Sequence, residues 1–206
     1  MDRQTGKLIS RIAENLPDMS SDIMQGWIEN PRALQKFLAS LSPPETSPEF
    51  QTWKTIKLGT GLKTADDFRR VLRDSCRIGD GASDILGKPA FTVCDTEMEL
   101  DLVRPSVAEL GFKDGATFKD ICERGLEYGL KLCPAEVGPQ LRLQYRDQPL
   151  GEWLIIAMKA IRYSAGDLSV FSVERYDNGL WLSGYDGSPD YFWFSLDRFV
   201  FVRPRK

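Results

Sequence analysis

The sequence predicts an α+β protein, with an N-terminal helical arm, a mixed central region and a C-terminal antiparallel β-sheet of four or five strands. Three observations carry this. Across residues 1–41 apolar side chains return every three or four positions, the period of an amphipathic helix. From residue 141 onward they return at every second position, the period of a strand. Of the 22 aromatic residues, 13 fall between Tyr145 and Phe201, where rings suit a pleated, half-buried surface.

Taken in order, the arm divides into three short helices. Leu8, Ile9, Ile12 and Leu16 form the first stripe, Ile23, Met24, Trp27 and Ile28 the second, and Leu34, Phe37, Leu38 and Leu41 the third. Pro17 separates the first two, and Asn30-Pro31 supplies a cap and first-turn proline for the third. Helices this short are marginal alone and must cover their stripes, on the rest of the chain or on a second copy. Residues 1–41 are thus the segment through which a homo-oligomer or a protein partner would be engaged. Ser42–Pro48 carries three prolines and reads as an extended linker, which divides residues 1–48 from a main domain at 49–206.

The main domain opens with a strand at 53–58, a Gly59-Thr60-Gly61 turn, and a helix over 64–75 capped by Thr64 with Asp67 three residues on. A helical turn at 80–87 ends at Gly87. Phe91–Cys94 and Met98–Arg104 read as strands around an acidic turn, and Pro105-Ser106 opens a short helix closing at Gly111. Thr117 caps another helix, with Ile121, Gly125 and Leu126 on its buried side. Leu141, Leu143 and Tyr145, alternating with Arg142 and Gln144, predict a strand over 141–145. Strands follow at Trp153–Ile161, Leu168–Glu174 and Leu180–Tyr185, the last two joined at Asn178-Gly179 in a type I′ turn. A final strand spans Phe192–Val202 with a break near Ser195–Arg198.

Composition narrows the chemistry. The chain has 206 residues, 27 Lys plus Arg against 30 Asp plus Glu, and no histidine. Histidine supplies most general bases and many metal ligands near neutral pH. Its absence excludes Ser-His-Asp and Cys-His hydrolase sites, HExxH zinc sites and His-based relays. A net charge of −3 offers no field for polyphosphate, so nucleic acid is not an expected partner despite the basic end at Arg198, Arg203, Arg205 and Lys206. The longest purely apolar run, Trp153–Met158, is far short of the ~18 residues that a membrane-crossing helix needs. Charges at Asp2, Arg3, Lys7, Arg11 and Glu14 interrupt any signal-peptide core, which points to the cytoplasm. Cys76, Cys94, Cys122 and Cys133 show no C-x-x-C spacing and read as reduced, mostly buried thiols. No metal and no cofactor is implied. Gly59–Thr64 lacks the spacing of a P-loop, and Asp186–Asp190 is too short for an EF-hand loop and reads as a solvated turn.

The run Leu132-Cys133-Pro134-Ala135-Glu136-Val137-Gly138-Pro139-Gln140-Leu141-Arg142-Leu143-Gln144-Tyr145 resembles a signature of a family of uncharacterised bacterial proteins. The resemblance begins near Thr52–Ile56 and continues through Gln148-Pro149 and Gly151–Leu154 to Phe199–Arg203. It implies a bacterial origin and carries no activity with it.

The same stretch gathers the candidate site residues. If the polar face of the 141–145 strand lines a pocket, Arg142 can clamp a carboxylate or phosphate and Gln144 can orient it. The ligand-binding candidates are Arg142, Gln144, Gln148 and Trp153; the competing reading pairs Arg142 with Glu136 or Glu152 to pin a structural corner. Catalytic candidates are Glu136 or Glu152 as a general base and Cys133 as a nucleophile at a helix start. The aromatic sheet reads first as core packing and second as a stacking surface for a base, sugar or peptide. The expected function is a non-enzymatic binding or regulatory domain for a small molecule or protein partner. The alternatives are a histidine-free hydrolase or transferase, and an interaction module acting through the helical arm.

Overall fold

The computed structural model describes residues 3–14, 18–40 and 48–205. The expectations for Leu16, Pro17, Leu41 and linker residues 42–47 lie outside the described residues, as does Lys206. The chain forms two compact units, Met1–Ser47 and Pro48–Lys206.

The first unit holds three helices, α1 (Arg3–Glu14), α2 (Ser21–Glu29) and α3 (Pro31–Ser40). The Ser20 hydroxyl caps α2 by accepting the Ile23 N–H, and the Asn30 side-chain oxygen accepts the Ala33 N–H at the start of α3. Trp27 and Phe37 bring α2 and α3 together with ring centroids 5.3 Å apart. Ile9, Ile12, Ile23, Met24 and Ile28 stay exposed.

The second unit contains β1 (Lys54–Leu58), α4 (Ala65–Arg73), β2 (Arg77–Ile78), α5 (Asp80–Leu86), β3 (Met98–Val103), β4 (Ala116–Thr117), α6 (Phe118–Glu127), α7 (Val137–Gln144), β5 (Trp153–Ile156), β6 (Ile161–Arg162), β7 (Leu168–Tyr176), β8 (Gly179–Asp186), β9 (Phe192–Trp193) and β10 (Arg198–Arg203). An eight-stranded sheet runs in the order β1-β3-β10-β5-β7-β8-β2, with β6 paired to β7, and β4-β9 form a separate ribbon. The α+β class and the C-terminal antiparallel pairing are as the sequence predicts. The sheet is larger than its C-terminal strands, because β1, β2 and β3 join it, and two of its pairs, β10–β5 and β2–β8, are parallel.

Register fixes what each face carries. Phe199 pairs with Ile155, which pairs with Ser172, while Val200 pairs with Ile156. Phe199 and Phe201 therefore share one face with Trp153, and Phe171 points to the other, since successive side chains alternate. Phe118 of α6 meets Phe199 on the first face, and Gly125 lets α6 approach Phe201. On the second face α7 comes so close to Phe171 that a Cβ on Gly138 would lie 2.6 Å from it. Layers on both sides explain why Phe199–Val202 and Leu154–Ile156 are buried at every position.

Several local expectations change: the strand expected over Trp153–Ile161 divides into β5 and β6, and Leu126, expected on the buried side of α6, is exposed. Residues 141–145 are not a strand: Val137–Gln144 form α7, ending at Tyr145. Phe91–Cys94 are irregular, and Ser106–Gly111 close as a hydrogen-bonded turn instead of a helix. At the β7–β8 hairpin no non-glycine residue has a positive φ, so the type I′ turn does not form; Tyr176 pairs with Gly179, which takes φ +122°. The Thr64–Asp67 capping box of α4 forms as expected.

Candidate functional site

The helix that replaces the expected strand places Glu136, Gln140 and Gln144 four residues apart along one side, facing the edge strand β1. Gln144 donates to the Lys57 carbonyl (2.8 Å) and accepts the Lys57 N–H (2.9 Å), so a side-chain amide stands in for a neighbouring strand. Gln140 donates to Thr60 Oγ1 (2.7 Å) and to Glu136 Oε1 (3.0 Å). Glu136, fully buried, accepts the Gly59 N–H on Oε1 (2.9 Å) and the Cys94 N–H on Oε2 (2.7 Å). Gly59 has φ +64°, and a Cβ there would lie 2.2 Å from the Thr96 carbonyl oxygen. The Gly-x-Gly turn is thus held by a carboxylate, and its first glycine lies against the Thr96 backbone.

Arg142 points away from this stripe into the core and meets neither Glu136 nor Glu152. Its guanidinium donates to the Gln148 side-chain oxygen, the Tyr145 carbonyl and the Glu174 carbonyl, and its Nε is buried without a partner. Burial pushes its pKa down to about 10. Gln148 passes the connection on, donating to the Glu152 and Val173 carbonyls, both at 3.1 Å. Glu152 instead pairs with Arg104 and accepts the Tyr145 hydroxyl at 2.7 Å. These contacts clamp residues 145–152 onto β7. The corner does pin structure, by carbonyls and an amide where the sequence suggested an ion pair.

Cys133 is buried beneath β10, its thiol donating to the Val200 carbonyl at 3.3 Å. Burial raises the Cys133 pKa, and pushes Cys76 and Cys94 up to about 11 and Cys122 up to about 12. All four cysteines are free. Iodoacetamide at pH 8 should therefore alkylate Cys122 and Cys133 in the folded protein at least ~100-fold more slowly than free cysteine. Peptide mass spectrometry over time reads this out, and rapid labelling of Cys133 alone would restore it as a nucleophile.

Trp153 lies elsewhere, in a ring cluster on the aromatic face of the sheet. Its centroid is 4.8 Å from Tyr185 and 5.8 Å from Trp193, and Trp193 lies 5.1 Å from Tyr185, Tyr191 and Phe199. At the margin of this cluster a groove of about 480 Å³ opens. Tyr163, Tyr185 and Tyr191 line it together with Asp80, Asp167 and Asp186. The Tyr191 hydroxyl and then burial push the Tyr185 phenol up.

Asp80 reaches the groove through a close backbone approach. After β2 pairs with β8, Gly81 passes so near Gly184 that a Cβ on Gly184 would lie 2.8 Å from the Gly81 backbone. Nothing in the sequence marks these groove residues as one set. The aromatic concentration pointed to the correct sheet, but nothing local to Asp80 signals its neighbours. Among the described residues, no group of three or more Cys, Asp or Glu side chains is placed to hold a metal ion, and no helix is long and apolar enough to cross a membrane.

No protein-family model matches the chain, and comparison with curated proteins and with solved structures gives no match.

Proposed function

We propose that the protein is a non-enzymatic binding domain whose ligand occupies the tyrosine–aspartate groove. The observation that carries this is a contrast in how polar groups are used. Both oxygens of Glu136 and both oxygens of Glu152 are engaged by framework donors. In the groove, Asp80, Asp167 and Asp186 make no ion pair among the described residues, and tyrosines flank them. Unspent charge beside aromatic surface in a concavity is what a ligand site needs. A cytoplasmic location in a bacterium belongs to the same reading, supported by the four free thiols and by the sequence resemblance.

Native mass spectrometry of the full chain purified from its own host tests the proposal. A mass increment that leaves intact on collisional activation, and that is lost in Tyr185→Ala, is expected. An unliganded spectrum under every gentle condition, or an increment converted to a new mass on incubation, would overturn it.

A further inference from the structure

We propose that the groove takes a small organic cation, its ammonium head seated in the corner between Tyr185 and Tyr191 and its charge balanced by Asp80, Asp167 and Asp186. This rests on the binding reading above and gives that site its ligand class.

The aromatic wall comes first. The Tyr185 and Tyr191 rings meet edge to face, their planes 80° apart and their centroids separated by 6.0 Å, and both line the groove. An ammonium group within about 6 Å of such ring centroids is attracted by their negative faces, and quaternary ammonium ligands use this arrangement. The Trp193 and Trp153 rings packed against Tyr185 hold that wall in place.

The charge comes second and is independent of the rings. Three carboxylates and no lysine or arginine line the groove. Some carboxylates of the same unit have a cation beside them: Lys88 reaches Asp84 at 3.3 Å, Arg198 reaches Glu109 at 3.3 Å, and Arg205 reaches Asp101 at 2.8 Å. Asp80 also borders a second cleft that Arg69 and Lys88 line, and the concave wall of the groove focuses the negative potential of Asp167 and Asp186. Only Asp186 makes a described side-chain hydrogen bond, accepting the Ser188 N–H at 2.8 Å on one oxygen.

Size and spacing select the ligand class. The carboxylates do not converge as metal ligands must. An anion meets like charge, and a neutral ring compound leaves that charge uncompensated. About 480 Å³ suits a small molecule.

The test titrates the full chain with choline, with its neutral isostere 3,3-dimethylbutan-1-ol, and with glucose, by calorimetry and by tyrosine resonances in NMR spectra. Choline is expected to saturate the site at least about tenfold more tightly than the isostere, and more weakly as salt rises. The triple variant Asp80→Asn, Asp167→Asn, Asp186→Asn preserves side-chain shape; it should keep its melting temperature and lose choline affinity at least tenfold. Tyr191→Leu should lose choline binding and keep the sheet's amide spectrum, which guards against a misfolded triple variant. Equal affinity for the isostere, or binding of glucose alone at the groove tyrosines, overturns the cation class and leaves the binding reading standing. Tyrosine resonances unmoved by all three probes overturn the cation class as well; if the protein from its host also carries no ligand, the binding reading falls with it.

Discussion

Arg142→Ala is expected to destabilise the second unit by about 4 kcal/mol and to lower its melting temperature by roughly 10 °C. The guanidinium is 1% exposed and holds three oxygens that lie in different parts of the chain: the Gln148 side chain, the Tyr145 carbonyl and the Glu174 carbonyl. Alanine leaves those acceptors buried without a donor, at about 1–3 kcal/mol for each one that water cannot reach. It also leaves a cavity the size of a long side chain. The loss does not come from a favourable charge. Burial lowers the Arg142 pKa to about 10, so the native environment already resists the cation, and no carboxylate pairs with it. Arg142→Met should therefore recover part of the stability by refilling the space, and Arg142→Lys should recover less than its charge suggests, because an ammonium cannot reproduce the planar fork. Urea denaturation of the three variants checks the order. Wild-type stability in Arg142→Ala would mean that the side chain is free to serve a ligand.

How far this was legible in the sequence depends on which interaction decides each segment. Thr64 with Asp67, and Thr117 with Asp120, are local chemistry, and the helices start where those residues sit. The aromatic sheet was legible because its rings fall at strand spacing. The signature segment misled because two periods coexist in it. Leu141, Leu143 and Tyr145 alternate as a strand would, but Val137, Leu141 and Tyr145 also stand four apart, as do Glu136, Gln140 and Gln144. The helix satisfies both four-residue stripes at once, burying the first and bonding the second to the β1 edge, whereas a strand would leave the glutamines without partners. Arg142 reads in the sequence as a ligand clamp or as one half of an ion pair, yet its partners are two backbone carbonyls and a side-chain amide, which carry no sequence signature. The groove was least legible. Asp80 and Tyr185 are neighbours only because the two-residue strand β2 runs parallel to β8 and two glycines let the backbones touch.

Glu136→Gln, which changes shape hardly at all, is expected to cost about 2–4 kcal/mol. Both carboxylate oxygens act as acceptors: Oε1 for Gly59 N–H and the Gln140 amide, Oε2 for Cys94 N–H. A glutamine must place its NH₂ group against one of these sets of donors, and whichever way it turns, a buried N–H loses its partner. The carboxylate also gives charge-assisted bonds that an amide oxygen does not. Hydrogen exchange locates the damage: protection of the Gly59 and Cys94 amides should fall in the variant, while amides of β7 and β8 change only with global stability. The same variant separates the two roles proposed for this residue. A general base replaced by glutamine would abolish turnover and leave the fold's stability nearly unchanged, because its charge would be aimed at a substrate. A carboxylate that ties the β1–α4 turn and the Cys94 segment to α7 should do the reverse, weakening the fold and leaving choline affinity in the tyrosine–aspartate groove as it was. Unchanged melting and unchanged Gly59 and Cys94 protection would show that the buried carboxylate is not the tie described here.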